Sequence, residues 1–234
     1  MLNGYMKNAA KAFMSQFQRV SPTLATKILF RRYIGKKLDL KNPRTLNEKM
    51  QWLKLNRYSN DPLVTRCVDK YLVREYVREC GREDLLVPLI GQWENVDDID
   101  FSMLPQEFVL KCNHGSGSVI ICRDKNNLNI DDTKKKLKLW LKEDFGAHRA
   151  ELLYRNIKRR VICEELIKTK DGNAPKDYKF FCSYGTPKFL FVASNRHGDD
   201  AFFDFFSLDW QHYDVINGHP NSPTPIDKPD QLDE

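Results

Sequence analysis

The stretch FVLKCNHGSGSVIIC, residues 108–122, constrains this chain more than any other. It is a short apolar run with a lysine near its end, a small polar loop, and a second apolar run. The pattern predicts a strand over 108–112, a tight loop over 113–118 and a strand over 119–122. Gly115 and Gly117 flank Ser116. Glycine admits positive φ and a close approach of backbone to a ligand. Successive N–H groups of such a loop can form an anion-binding concavity. Lys111 beside it is a mobile positive charge suited to phosphate. Two readings stand here: a hairpin lid over a polyphosphate, and an ordinary Gly-Ser-Gly turn.

The rest of the composition narrows the class. A chain of 234 residues accommodates one large domain or two small ones with a proper core. Its aromatic content of 12% separates it from disordered chains of similar charge. Six cysteines (67, 80, 112, 122, 163 and 182) form no CxxC pair. Four lie in apolar runs and read as buried thiols in a reducing cytoplasm. Cys112, His114 and Cys122 suggest a metal site only weakly, because a closing ligand and standard spacing are missing. No apolar run approaches the roughly 18 residues of a membrane span. Lys7 and Lys11 interrupt any signal-peptide core. The net charge of +6 conceals an asymmetry: residues 1–38 carry eight Lys/Arg and no acid, while the last forty residues are strongly acidic. A chain that is not uniformly basic argues against a nucleic-acid partner.

Residues 2–33 read as one or two basic amphipathic helices with Met6, Phe13, Phe17, Leu24, Ile28 and Leu29 as apolar positions. Such a segment can lie on an anionic inner-membrane surface, or pack on the domain with a solvated basic face. Thr45 and Glu48 form a capping-box signature, followed by Leu46, Met50 and Leu53 on one helical face. Asp61-Pro62 opens a helix expected to run unbroken to Gly81. Along it Lys70, Arg74 and Arg78 would form one stripe, able to meet an anion or to face solvent. A strand and turn are expected over 85–91, a linker over 95–105, a helix from Asp131 to about Glu143, and another over 147–158. Asp98-Ile99-Asp100 resembles the acidic triplets that hold metal–nucleotide-sugar complexes, a pattern that also arises by chance. Residues 160–167, RVICEELI, read as an apolar strand ending in paired acids. Its backbone could receive a planar base between apolar side chains. Residues 177–184 alternate, with Asp177 and Lys179 on one face, and 188–194 return as the partner strand. Arg196 follows at the strand end.

Taken together, NPRTLNEKMQWLKL, VDKYLVREYV, FVLKCNHGSGSVIIC, CEELI, DYKFFCSYGTPKF and FFSLDW stand in the order found in the ATP-grasp superfamily. They most resemble its TupA-like branch, named for teichuronopeptide biosynthesis. The resemblance spans about residues 40–230. It implies an α+β, ATP-grasp-like fold: two α/β lobes with antiparallel sheets clasping ATP, preceded by N-terminal helices. The implied division is a basic helical segment (1–38), an N-terminal α/β part (39–105), a lid subdomain (106–165) and an incomplete C-terminal lobe (166–234). The implied cofactors are ATP and Mg²⁺. The implied activity is carboxylate–amine ligation in cell-surface, capsular or teichuronopeptide-type polysaccharide synthesis. Its partners would be a uronic-acid or other carboxylate acceptor and an amine or amino acid, in the cytoplasm or on the inner face of the membrane. A glycosyltransferase using Asp98 and Asp100, and a catalytically degenerate ATP-binding module, are the alternatives.

Residue by residue, Lys111 matches the lid lysine that contacts the nucleotide phosphates. His114, Gly115, Ser116 and Gly117 match the phosphate-covering loop. Glu164, Glu165, Leu166 and Ile167 match the hinge that receives adenine. Asp177 matches the acid near the ribose, and Lys179 the adjacent nucleotide-facing position. Arg196 is the candidate cation that stabilises the transferred phosphoryl group, a placement that, like that of Lys70, rests on looser alignment. Family members continue into strands whose acids hold Mg²⁺. Here KPDQLDE, residues 228–234, reads as a helix start without a body, so a truncated member is expected.

Overall fold

The computed structural model describes residues 17, 20–147, 150–169, 172, 174–195 and 201–232. Two compact units divide the chain, Met1–Leu166 and Ile167–Glu234.

The first turn of a helix leaves N–H groups free, and the first unit's described helices meet this in different ways. Helix α1, Pro22–Ile34, starts with proline at its first position and ends on Gly35 in the left-handed region, φ 75°. Helix α2, Leu46–Asn56, carries the predicted capping box. Glu48 Oε2 accepts from the Thr45 amide at 2.9 Å and from the Arg44 amide at 3.0 Å. These bonds, that to the Thr45 backbone foremost, hold the Glu48 carboxyl down at about 2. Helix α3, Pro62–Val68, starts on Asp61, whose carboxylate accepts from the Leu63 amide at 2.9 Å.

Here the expected long helix breaks. Helix α4, Val73–Glu79, is separate, and residues 69–72 form a turn. Asp69 causes the break. Its Oδ1 accepts from the Tyr71 amide at 2.8 Å and the Leu72 amide at 3.3 Å, offering the backbone an alternative to continued helix.

The first unit's sheet has strands β1 (Leu89–Trp93), β2 (Phe108–Cys112), β3 (Val119–Cys122) and β4 (Val161–Glu164). Its order is β1-β4-β2-β3, every pair antiparallel. Alternation along the strands gives it two distinct faces. Phe108, Leu110 and Cys112 of β2 join Val161 and Cys163 of β4 in a core closed by Leu137 of helix α5, Ile130–Lys142. Asn129, not Asp131, caps α5, accepting from the Asp132 amide at 2.9 Å. Residues 95–105 are no linker, since Val96, Ile99, Phe101 and Leu104 are buried in this same core. Of the helix expected over 147–158, the described residues form a short 3-10 segment, Leu152–Asn156.

The second unit is a meander of β5 (Asp177–Ser183), β6 (Thr186–Ser194), β7 (Phe202–Phe206) and β8 (His212–Tyr213). Tyr184 and Gly185 join β5 to β6 with φ of 51° and 74°. Two positive values are what a two-residue hairpin turn of the primed type requires. Leu190, Val192 and Phe206 form this unit's core with Ile226, and Leu232 packs on it. Trp210 stacks on Phe206 with centroids 4.2 Å apart, and its Nε1–H donates to the Ile226 carbonyl at 2.9 Å. Residues 230–232 are a turn rather than a helix start. The protein is thus α+β, with helices ahead of two four-stranded antiparallel sheets.

Candidate functional site

Opposite the core, the first sheet's second face carries Val109, Lys111, Ile162 and Glu164, as strand alternation demands. Glu164 stands opposite Val109, and Lys111 opposite Ile162. Lys111 and Glu164 are therefore diagonal cross-strand neighbours, within reach of a long side chain. Lys111 Nζ donates to Glu164 Oε2 at 2.5 Å. The other carboxylate oxygen accepts from Arg74 Nη1 at 3.0 Å. Arg74 Nη2 also donates to the Val87 carbonyl at 2.6 Å. Arg74 and Glu164 are both buried, so the acid is held by two cations inside the unit.

The helix break delivers the second lysine. Lys70 Nζ donates to the carbonyl of Gly115, inside the glycine loop. Burial pushes its pKa down from the usual lysine range, and the charge of Lys111 adds to that. The turn is tied to the loop by Asn113, which is fully buried. Its Nδ2 donates to Asp69 Oδ1 and to the Lys158 carbonyl, each at 2.9 Å. Its Oδ1 accepts from the Arg160 amide at 2.8 Å. The Asp69 backbone turn, Asn113 and the start of the loop are thus one hydrogen-bonded assembly.

Each loop residue has its own constraint. His114 is buried, and burial lowers its pKa, with Arg159 contributing. A Cβ on Gly115 would lie 2.9 Å from the Phe145 ring, which itself meets Tyr154 edge-on at 4.9 Å. Gly117 has φ +87° with open space around it, so its need for glycine is conformational. Ser116 and Gly117 are exposed at the loop tip.

Among the residues expected to form the hinge, the Glu165 amide donates to the Pro88 carbonyl at 3.1 Å. Glu165 and Ile167 are exposed, and Leu166 is half-buried. In the second unit, Asp177 and Lys179 share a face of β5, with Lys179 Nζ 3.3 Å from Asp177 Oδ2. Arg196 lies outside the described residues. Within the first unit the structure thus brings together Lys70, Lys111, Glu164 and the loop. The expected stripe of Lys70, Arg74 and Arg78 does not exist, and Arg78 pairs with Glu83 at the surface. Arg74, Asp69 and Asn113 were not singled out as site residues from the sequence. The acid immediately before Lys70 was the available signal for a turn there.

The weaker motifs resolve differently. Cys112 and Cys122 sit at opposite ends of the β2–β3 ladder, where Cys122 pairs with Phe108. That separation rules out a shared metal. Asp100 accepts from the Ser102 amide at 2.9 Å and hydroxyl at 2.6 Å as a turn-former, and Ile99 between the two acids is buried. Among the described residues no group of three or more His, Cys, Asp or Glu is arranged to hold a metal, so no magnesium ligand set is assigned. The cations suit a polyphosphate: Lys70 Nζ reaches into the loop and Lys111 lies near the end of the strand that leads to it. Lys70 carries a charge made costly by burial and by Lys111, and an anion at the loop would relieve both effects.

Two antiparallel sheets and a lysine-flanked glycine loop in an α+β chain are the parts that the ATP-grasp resemblance implies. The family model described as TupA-like ATPgrasp matches residues 48–234, and the chain belongs to that family. Comparison with curated proteins finds no match, and comparison with solved structures finds none either.

Proposed function

We propose that the protein is an ATP-dependent carboxylate–amine ligase of cell-surface polysaccharide biosynthesis, of capsular or teichuronopeptide type. One observation carries the reading: Lys111 and Lys70 flank a glycine loop whose exposed tip, Ser116-Gly117, can close over phosphates. Lys111 binds the nucleotide phosphates, and Lys70 adds a second charge from the loop's base. Glu164 orients Lys111 and begins the hinge. Because the Glu165 amide is committed to Pro88, the adenine contact falls to Leu166 and Ile167. In the second unit Asp177 takes the ribose role, and Lys179 and Arg196 the cationic one.

The acceptor carboxylate, on a uronic acid or a similar sugar acid, attacks the γ-phosphorus, and ADP leaves. The amine or amino acid then attacks the acyl phosphate carbon, phosphate departs, and the nitrogen loses a proton. No protein nucleophile is required, since positioning and neutralisation of developing charge lower the barrier. Mg²⁺, when bound with the nucleotide, supplies part of that neutralisation. ATP places the work in the cytoplasm, and a membrane-carried acceptor places it at the inner face of the membrane.

Calorimetry with Mg·ATP on the wild type, Lys111→Ala and Lys70→Ala tests the site. Each variant is expected to lose at least tenfold in affinity, about 1.4 kcal/mol. An acceptor screen reading ADP release then tests the chemistry. Folded wild type that binds nucleotide-sugars but not ATP would turn the assignment toward glycosyl transfer. ATP binding without turnover on any acceptor would leave a nucleotide-binding module.

A further inference from the structure

The first unit carries two helices that each turn some apolar residues away from the protein. On α1 the inward side is Ala25, Thr26 and Phe30. At 100° per residue, Leu24 and Ile28 lie on the opposite side, and both are nearly half exposed, at 47% and 46%. Lys27, Arg31 and Arg32 flank them and are exposed. Helix α2 repeats the arrangement. It has no buried residue, and Leu46 and Met50, four apart, are 73% and 53% exposed between Lys49 and Lys54. Leu24, Ile28, Leu46 and Met50, the apolar helix positions expected from the sequence, are therefore exposed. The one acid of α2, Glu48, points to the other side and is occupied by its capping box. No helix among the described residues is long and apolar enough to cross a membrane.

We propose that the outward faces of α1 and α2 form a docking surface for an anionic lipid bilayer. An apolar stripe flanked by cations is what an interfacial helix needs: the stripe enters the headgroup boundary while lysine and arginine meet lipid phosphates. Charge complementarity selects this occupant over an apolar protein partner. From residue 20 to 38 there are five Lys/Arg and no acid. The surface does not depend on the nucleotide reading, and either can fail without the other.

The test is flotation of the full-length protein with vesicles of phosphatidylcholine, alone or mixed with phosphatidylglycerol. Binding is expected only to the mixed vesicles and falls as salt shortens the screening length. The double variant Leu24→Glu/Ile28→Glu, and separately Met50→Glu, are expected to lower binding at least about tenfold. All three positions are exposed, so the variants retain the fold, which Mg·ATP calorimetry or circular dichroism verifies. Absence of binding to anionic vesicles overturns the proposal, as does binding that these variants leave unchanged. A wild-type dimer in sedimentation velocity that Leu24→Glu/Ile28→Glu disperses, without lipid binding, assigns the surface to a second copy instead.

Discussion

Removing Glu164 should unfold the first unit more readily than any loss of packing would explain. In Glu164→Ala the guanidinium of Arg74, only 5% exposed, loses its one charged partner in the described contacts. It keeps the Val87 carbonyl, and its Nε already has no partner among the described residues. Lys111 is about one-third exposed and can turn to water, so it contributes little to the cost. Breaking a buried pair by removing one partner costs about 3–5 kcal/mol, because the remaining charge stays buried. Replacing both partners with apolar residues of similar volume is often near neutral. The double variant Arg74→Met/Glu164→Leu should therefore be much more stable than either single variant, so the coupling energy exceeds the larger single cost, at least about 3 kcal/mol. Urea unfolding followed by tryptophan fluorescence reads this, because Trp93 and Trp140 pack against the first unit's core. Hydrogen exchange of β2 and β4 amides gives a local readout. A Glu164→Ala cost below about 1 kcal/mol, the range of exposed pairs, would refute the reasoning. So would a double variant as unstable as the sum of the singles.

Three further outcomes are expected. Asn113→Ala leaves the buried Asp69 carboxylate without its side-chain donor and should cost about 3 kcal/mol in urea unfolding, with weaker ATP binding as the Lys70 turn loosens. Gly115→Ala drives a methyl into the Phe145 ring and should cost about 1–3 kcal/mol, whereas the larger cavity of Gly115→Ala/Phe145→Leu recovers part of it, read by thermal melting. His114 is buried with a lowered pKa, so the unfolded chain binds its proton first as pH falls. Its stabilising effect is complete above the ordinary value of 6.5 and is lost as pH drops from there toward the folded value. A His114→Asn variant should show a shallower fall of stability below pH 6.5 than the wild type.

Much of the fold was readable because short-range rules set it. The capping box at Thr45, the Asp61-Pro62 helix start, the 108–122 hairpin and the β5–β6 pair all follow from local residue chemistry, and the structure has each. The errors arose where distant residues intervened. Residues 95–105 look polar between strands, yet Ile99, Phe101 and Leu104 fill the core beneath β2. Leu46 and Met50 have the spacing of a buried face and lie in the open, because periodicity says which residues share a face but not what covers it. At the site, the loop and Lys111 were visible as a motif. Arg74 was visible only as one member of a charged stripe, because its partner Glu164 lies ninety residues away.

Asp69 accounts for that difference. On an unbroken helix Lys70, Arg74 and Arg78 would fall one above another and share an environment. Asp69 takes the amides of Tyr71 and Leu72, and Asn113 holds it in place from the loop. The turn sends Lys70 to the Gly115 carbonyl, while helix α4 restarts and carries Arg74 to Glu164. Arg78, a turn later, reaches only the exposed Glu83 at 2.8 Å. A single buried carboxylate thus divides one predicted stripe of cations into three positions: one at the loop, one bracing the end of β4, and one at the surface. Lys111 has its counter-charge in Glu164, while Lys70 donates to the Gly115 carbonyl inside the loop.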